Sequence, residues 1–445
     1  MTRVVVVGGG LAGVTAALEC ADRGASVTLL EARARLGGAT FSVQKEGLWL
    51  DNGQHVFLRC CTAYRALLRR LGVEDDVVLQ PRLDIPVLAP GGRRARLRRD
   101  GLPAPLHLAR ALARYRHLSA SDRARLVPAA LALRRLRLDD PALDGETFAA
   151  WLERRGQSRA AVDALWDLIT LPTVNLPARE ASLALATKVF QTGLLERADA
   201  SDVGYARVPL QRLHGDAAER ALRAAGATVR LKARASAIAA GTAGPTVTWA
   251  GGTLAADAVV LAVPHDDAAE LLPEGALEPG VDPTALGASP IVNLHVVYDR
   301  PVTDLPFAAG VGTPVQWVFD RTASAGLERG QCLAVSLSGA DAYLGRSVEE
   351  LRGLFVPALA ALFPAAARAE VQSFFVTREP RATFRGTPRS ARHRPGPVTR
   401  VPGLVLAGAW TDTGWPATME GAVRSGVRAA EAALGAPTVR THLAA

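Results

Sequence analysis

The sequence predicts an α/β protein in which a discontinuous parallel-sheet domain carries an inserted domain of helices and a mixed sheet. Three observations predict it. The chain opens on a β-branched run that breaks into glycines and then a helix. It closes on a second strand–loop–helix unit rich in small residues. Between the two ends, a helix-rich stretch, a strand–hairpin stretch and a strand-rich stretch follow one another.

Val4-Val5-Val6-Val7 reads as a buried parallel strand. It runs into Gly8-Gly9-Gly10-Leu11-Ala12-Gly13, where Gly8, Gly10 and Gly13 fit G-x-G-x-x-G. Val14 to Arg23 has helical spacing of small and apolar residues, and Gly24 stops it. Ser26 to Leu30 is a second strand, ending at Glu31. Gly8 allows the tight turn, Gly10 lets the backbone approach a pyrophosphate, and Gly13 lets helix and strand touch. The helix start at Leu11 and Ala12 offers free N–H groups to phosphate. Glu31 stands where a carboxylate accepts from ribose hydroxyls. Together these predict a Rossmann-like dinucleotide site.

The next segment, Ala32-Arg33-Ala34-Arg35-Leu36-Gly37-Gly38-Ala39, carries two glycines and two arginines that could neutralise phosphate. Leu50-Asp51-Asn52-Gly53-Gln54-His55-Val56-Phe57 follows. Residues 91–137 then hold thirteen arginines against Asp100 and Asp122, a net +11 in a chain of net +9. The basic character is therefore local. Helical patterning is expected at Ala109–Arg116, Ala124–Leu138, Phe148–Arg155 and Ala160–Leu168. Leu222 to Val263 reads as helix, strand, hairpin region and strand. Strand-like runs are expected at Pro290–Tyr298, Gln316–Phe319, Cys332–Leu337 and Val371–Val376. Gly403 to Gly408 is a buried strand, and a helix starting near Thr418 and Met419 follows a loop.

Residues 33–38 resemble the second glycine motif of the flavoprotein amine oxidase and phytoene desaturase superfamily, and residues 403–426 resemble its closing FAD motif. The string Asp51-Asn52-Gly53-Gln54-His55, followed by Cys60, Cys61 and Tyr64, resembles the branch of squalene-associated FAD-dependent desaturases, the hydroxysqualene dehydroxylases. Thr411-Asp412-Thr413-Gly414 and Pro416 to Val423 fit the same branch, in the same order along nearly the whole chain.

That resemblance implies an FAD-binding domain assembled from 1–85, 206–270 and 396–440, with 86–205 and 271–395 forming the substrate domain. FAD contacts are expected from Gly8, Gly10, Leu11, Ala12, Gly13, Glu31, Ala32, Arg33, Gly37, Gly38, Ala39, Asn52, Gly53, Gln54 and His55. Ala235 is expected beside the adenine, and Gly408, Ala409, Asp412, Thr418 and Met419 toward the flavin. Relatives carry an acid directly after the glycine numbered 408 here; this chain has Ala409, which implies weaker FAD binding unless Asp412 substitutes rather than merely capping a turn. The implied reaction removes an allylic hydroxyl from hydroxysqualene to give squalene, with hydride from reduced flavin N5. His55 is the candidate proton donor; His265 is expected to be a surface turn residue. A carotenoid-type desaturase or an amine oxidase, for which Trp410 and Trp415 could flank the flavin, is the alternative, and a non-catalytic FAD-stabilised lipid carrier a further one.

Composition sets limits on other classes. A chain of 445 residues at 49% apolar and 21% charged is neither disordered nor fibrous. Four cysteines without a C-x-x-C pair exclude a disulfide scaffold and argue against a thiolate metal site, so no metal is expected and a reduced, cytoplasmic setting is. The longest apolar stretch, Leu354 to Ala367, is short and holds Pro357 and Pro364, so no span is expected. The arginine-rich segment is either a solvated face or a peripheral dock on the anionic inner face of a membrane, with Leu102, Leu106, Leu108 and Leu112 beside the charge. Nucleic acid is not an expected partner, since Tyr115 is the sole aromatic there. No residue pattern names the electron donor.

Overall fold

The computed structural model describes residues 1–242 and 244–435; the expected domain end at 436–440 lies outside them. A five-stranded parallel sheet runs in the order Thr228–Arg230, Ser26–Leu30, Arg3–Val7, Ala258–Leu261, Leu404–Leu406. Three separated stretches of chain therefore meet in one sheet. The run Val4 to Val7 is at its centre, paired with Val27 to Leu30 on one side and Ala258 to Leu261 on the other. Burial on both faces explains its unbroken β-branched sequence.

Helix Leu11–Asp22 crosses from the first strand to the second. It lies so close to the turn that a Cβ at Gly13 would sit 1.9 Å from the Gly8 carbonyl oxygen. Helix Met419–Ala433 packs on the same helix, and Ser425 donates to the Ala422 carbonyl while accepting from the Gly408 N–H at 2.8 Å. The small residues of the closing motif let two helices and a strand converge at one end of the sheet.

A seven-stranded mixed sheet forms a second layer, ordered Val371–Phe384, Ala288–Tyr298, Gln331–Ser338, Trp317–Asp320, Phe307–Gly310, Asp84–Ala89, Arg93–Arg98. Only the pairing of Phe307–Gly310 with Asp84–Ala89 is parallel. The expected boundary at 85/86 falls inside the strand Asp84–Ala89, and that at 205/206 inside the strand Val203–Ala206. Asp84–Ala89 belongs to the seven-stranded sheet, and Val203–Ala206 pairs with Phe57–Leu58 and Val77–Leu79.

Helices from residues 106 to 195 cap this sheet and share an apolar core with it through Tyr115, Phe148, Trp151, Trp166, Phe190, Phe307 and Phe319. The helix expected at Ala160–Leu168 is present and runs without a break from Arg159 to Val174, with a π turn at Val162–Trp166 inside it. The wider turn shifts the register, so Leu165, Trp166, Leu168 and Ile169 all reach one cavity. Strands found at Ala288–Tyr298 and Val371–Phe384 are longer than their expected runs, because the two pair with each other along most of their length, with register shifts between Ser289 and Ile291 and between Val297 and Tyr298. Among the described residues no helix is long and apolar enough to cross a membrane.

Candidate active site

One cavity of about 1270 Å³ connects the two layers. At one end its wall is backbone: Gly8 to Ala12, Gly37 to Ala39, and Ala233 to Ser236. A Cβ at Gly38 would come within 2.7 Å of Gly10 Cα, so the two glycine motifs press together at this end of the cavity. The first turn of helix Leu11–Asp22, with Gly10 as its N-cap, directs unpaired N–H groups there. Glu31, almost fully buried, accepts from the Gly9 N–H at 2.6 Å and the Arg33 N–H at 2.7 Å. Those bonds hold its carboxylate at the strand tip.

The middle of the cavity is built on residues 51–55. Asp51 is buried and paired with the buried Arg321 at 2.8 Å. Its second oxygen accepts from the Ser42 hydroxyl and the Leu210 N–H. His295 Nε2 lies 3.0 Å from the Asp51 carbonyl, and Asn293 donates to the Asn52 carbonyl at 2.7 Å. The strand Ala288–Tyr298 therefore grips this loop from the opposite layer. Gln54 lines the cavity with its Nε2 buried and without a partner, while Met419 and Thr418 border it at the N-terminus of helix Met419–Ala433. Thr418 caps that helix by accepting from the Gly421 N–H at 3.1 Å.

A backbone cradle for phosphate, an acid at the strand tip, an orphaned amide donor and a second helix N-terminus fit an extended flavin dinucleotide. Gly8 to Ala12, Glu31 and Gly37 to Ala39 would hold its phosphates and ribose, Ala235 its adenine, and Gln54, Gly408, Thr418 and Met419 its flavin.

Of the residues expected to touch FAD, all but two line the cavity. Gly13 stands behind it, making the helix–strand contact. Asp412 is exposed and outside the wall; it caps its own turn by accepting from the Gly414 N–H at 3.2 Å, so it does not replace the acid absent at Ala409. The loop is held instead by Arg394, which donates to the carbonyls of Trp410, Thr411 and Trp415. Trp410 borders the cavity, but its indole N–H is committed to the Val263 carbonyl at 3.0 Å; Trp415 lies outside, under Lys188 and Arg424. The pair makes no cage.

His265 is not a surface turn residue. It is buried, begins helix His265–Leu271 and lines the cavity, its imidazole 3.0 Å from Asp266. The turn expected after the strand is the helix start itself. His55 lines the wall as expected, yet burial, only partly opposed by Asp51, lowers its pKa to about 4. The imidazole is thus a neutral hydrogen-bonding group of the wall and not a standing store of protons.

Beyond His55 the wall turns to hydrocarbon: Leu58, Leu83, Ile85, Leu168, Ile169 and Phe190 are examples. These limb residues, and Asn293, His295, Arg321 and Arg394, are absent from the sequence expectation. Their apolar or isolated polar character marked them only as buried; no spacing tied them to a site.

A family model for flavin containing amine oxidoreductase matches residues 11–434. Hydroxysqualene dehydroxylase of Rhodopseudomonas palustris is 33% identical over 97% of this chain and 98% of its own length. The enzyme of the same name from Sinorhizobium fredii is 31% identical over the same shares. A solved putrescine oxidase shares the fold, with a TM-score of 0.74 at 21% identity over 98% of this chain and 99% of that one. The protein is an FAD-dependent oxidoreductase, and its chain belongs to the flavin-containing amine oxidoreductase family, in the hydroxysqualene dehydroxylase branch.

Proposed function

We propose that the protein reduces hydroxysqualene to squalene. The observation that carries this reading is the single cavity that runs from the nucleotide cradle into a hydrocarbon limb. Its volume, about 1270 Å³, exceeds the roughly 300–1,000 Å³ of ordinary ligand pockets. That excess suits a site shared by a dinucleotide and a long isoprenoid. The names of the relatives supply the substrate class.

Reduced FAD, when bound, supplies a hydride. The C–O bond of the allylic alcohol breaks, the hydroxyl takes up a proton that comes ultimately from solvent and leaves as water, and a C–H bond forms with the hydride. The limb's part is to bind the chain and keep water from the cationic carbon. The loop at 52–55, anchored through Asp51 and Arg321, keeps the wall between flavin and limb in place. Incubating dithionite-reduced holoprotein with hydroxysqualene and extracting the lipids tests this. Squalene is the expected product; new double bonds in a C30 or C40 substrate instead would mark a desaturase, and no squalene from flavin-loaded protein would end the proposal.

The proposal extends to a cytoplasmic protein docked peripherally on the inner face of the membrane. Leu102, Leu106, Val127, Leu131 and Leu138 are each more than one-third exposed. Leu106, Val127 and Leu131 also line the cavity, so its mouth and this patch share residues. Arg110, Arg114, Arg116, Arg134 and Arg135 are exposed on the same segment. Each basic residue near an anionic surface contributes about 1 kcal/mol. Replacing these five by glutamine should lower binding to anionic liposomes at least a hundredfold; unchanged binding would remove the dock.

A further inference from the structure

Ser201 is the feature of the limb that hydrocarbon recognition leaves unexplained. The residue lines the cavity and is 2% exposed, and its Oγ is buried with no hydrogen-bond partner. Leu58, Leu195 and Val203 belong to the same wall. A hydroxyl withdrawn from water without a partner is unfavourable, and an alanine there would carry no such penalty.

The backbone around it is fixed. The Cys60 N–H donates to the Ala200 carbonyl at 3.1 Å, and the Arg59 N–H to the Asp202 carbonyl at 2.9 Å. Asp202, wholly buried, accepts from Arg59 at 2.9 Å, from Arg99 at 2.6 Å and from the Leu83 N–H at 2.7 Å. Val203 then enters the strand Val203–Ala206, paired with Leu58. Ser201 is thus held between two residues whose main chain cannot shift without breaking several bonds, including a buried ion pair. The position of its Cβ is therefore set by the fold. A polar group held this firmly in a dry wall is preorganised for a ligand atom.

We infer that Ser201 Oγ is the specificity-determining contact of the limb, and that it reads the hydroxyl of a long-chain isoprenoid alcohol. The inference rests on the substrate class proposed above. A serine hydroxyl both donates and accepts, so it can pair with an alcohol in either sense. A pure hydrocarbon leaves Ser201 unpaired, and an alcohol bound against hydrocarbon alone would leave its own hydroxyl unpaired; together each satisfies the other. A site built on such a contact rejects an analogue that lacks the group. For this protein the consequence is discrimination of the alcohol from the hydrocarbon, and hence release of product.

The test reads binding, apart from turnover. Oxidised holoprotein carries no hydride to transfer, so hydroxysqualene and squalene can both be titrated in detergent and followed by the change in flavin fluorescence. Ser201→Ala is expected to weaken hydroxysqualene binding about tenfold and leave squalene binding unchanged. Ser201→Thr, which keeps a hydroxyl, is expected to restore selectivity. Equal shifts for both lipids in Ser201→Ala, or none, would overturn the inference. Squalene formation by the reduced wild-type protein is scored separately: selectivity unchanged in Ser201→Ala beside a working reaction condemns the Ser201 contact alone, and an absent reaction with selectivity that depends on Ser201 condemns the reaction alone.

Discussion

The two ends of the cavity recognise their ligands by opposite means. The nucleotide end is main chain, with glycines at contact distance and two helix N-termini directed inward. The limb is side chain, gathered from helices and strands between residues 56 and 338 that share no motif. Backbone recognition needs a residue with no Cβ at a set position, so it tolerates almost no change. Shape recognition by hydrocarbon depends on summed volume, so it tolerates many single changes and fails when volume is added.

That contrast can be broken at four points. Gly13→Val should do most. Its side chain would start 1.9 Å from the Gly8 carbonyl, and purified protein should hold less than about a tenth of the wild-type flavin, measured as flavin released per chain. Wild-type flavin content would show that the helix–strand contact is not required. Arg321→Leu removes one partner of a buried ion pair and leaves Asp51 uncompensated between the layers. Loss of about 3–5 kcal/mol in denaturant unfolding is expected. An equal loss of stability in Arg321→Lys would mean that the fork of bonds to Ala206 and Asp51 matters more than charge.

The third concerns acid. His55 and His295 are pushed down to about 4 and His214 to about 3, in each case chiefly by burial. Unfolded imidazoles titrate near 6.5. Between those values the unfolded chain binds more protons, so stability is full above about pH 6.5 and falls as pH drops toward 4. Each histidine contributes on the order of 3 kcal/mol across that window. The melting temperature of holoprotein should fall steeply from pH 6.5 to 4.5, and His295→Gln should flatten the slope; a variant with an unaltered slope would remove His295 from the account.

The smallest effect is expected in the limb. Ile169→Trp adds volume to its wall. Flavin content should stay at the wild-type level while kcat/KM for the C30 substrate falls about tenfold. Loss of flavin along with turnover would show that the two ends are not separable.

The legible parts of the sequence were those where chain geometry is local. Val4 to Val7, the three glycines and Glu31 lie within 28 residues, and each has one role that one residue type fills. The closing strand and helix have the same property, and both ends met in one sheet as the motifs implied. For Asp412 the sequence left two roles open, because a turn-capping acid and a cofactor-binding acid look alike in it; its exposure and its bond to the Gly414 N–H decide for the turn. His265 failed for the converse reason, since a polar residue after Pro264 reads as a turn whether or not a neighbouring strand covers it.

From amino-acid order alone one could know that a dinucleotide is bound, by which glycines, and that the remaining chain is apolar enough to bury a large interior. Folding had to bring Arg321 onto Asp51 across 270 residues, Asn293 onto Asn52 across 241, and Ser201 into a hydrocarbon wall. The physical reason is range. Helix starts and glycine turns are satisfied by neighbours in the chain, whereas a cavity is the space that distant side chains leave unfilled, and its shape exists only once they are packed.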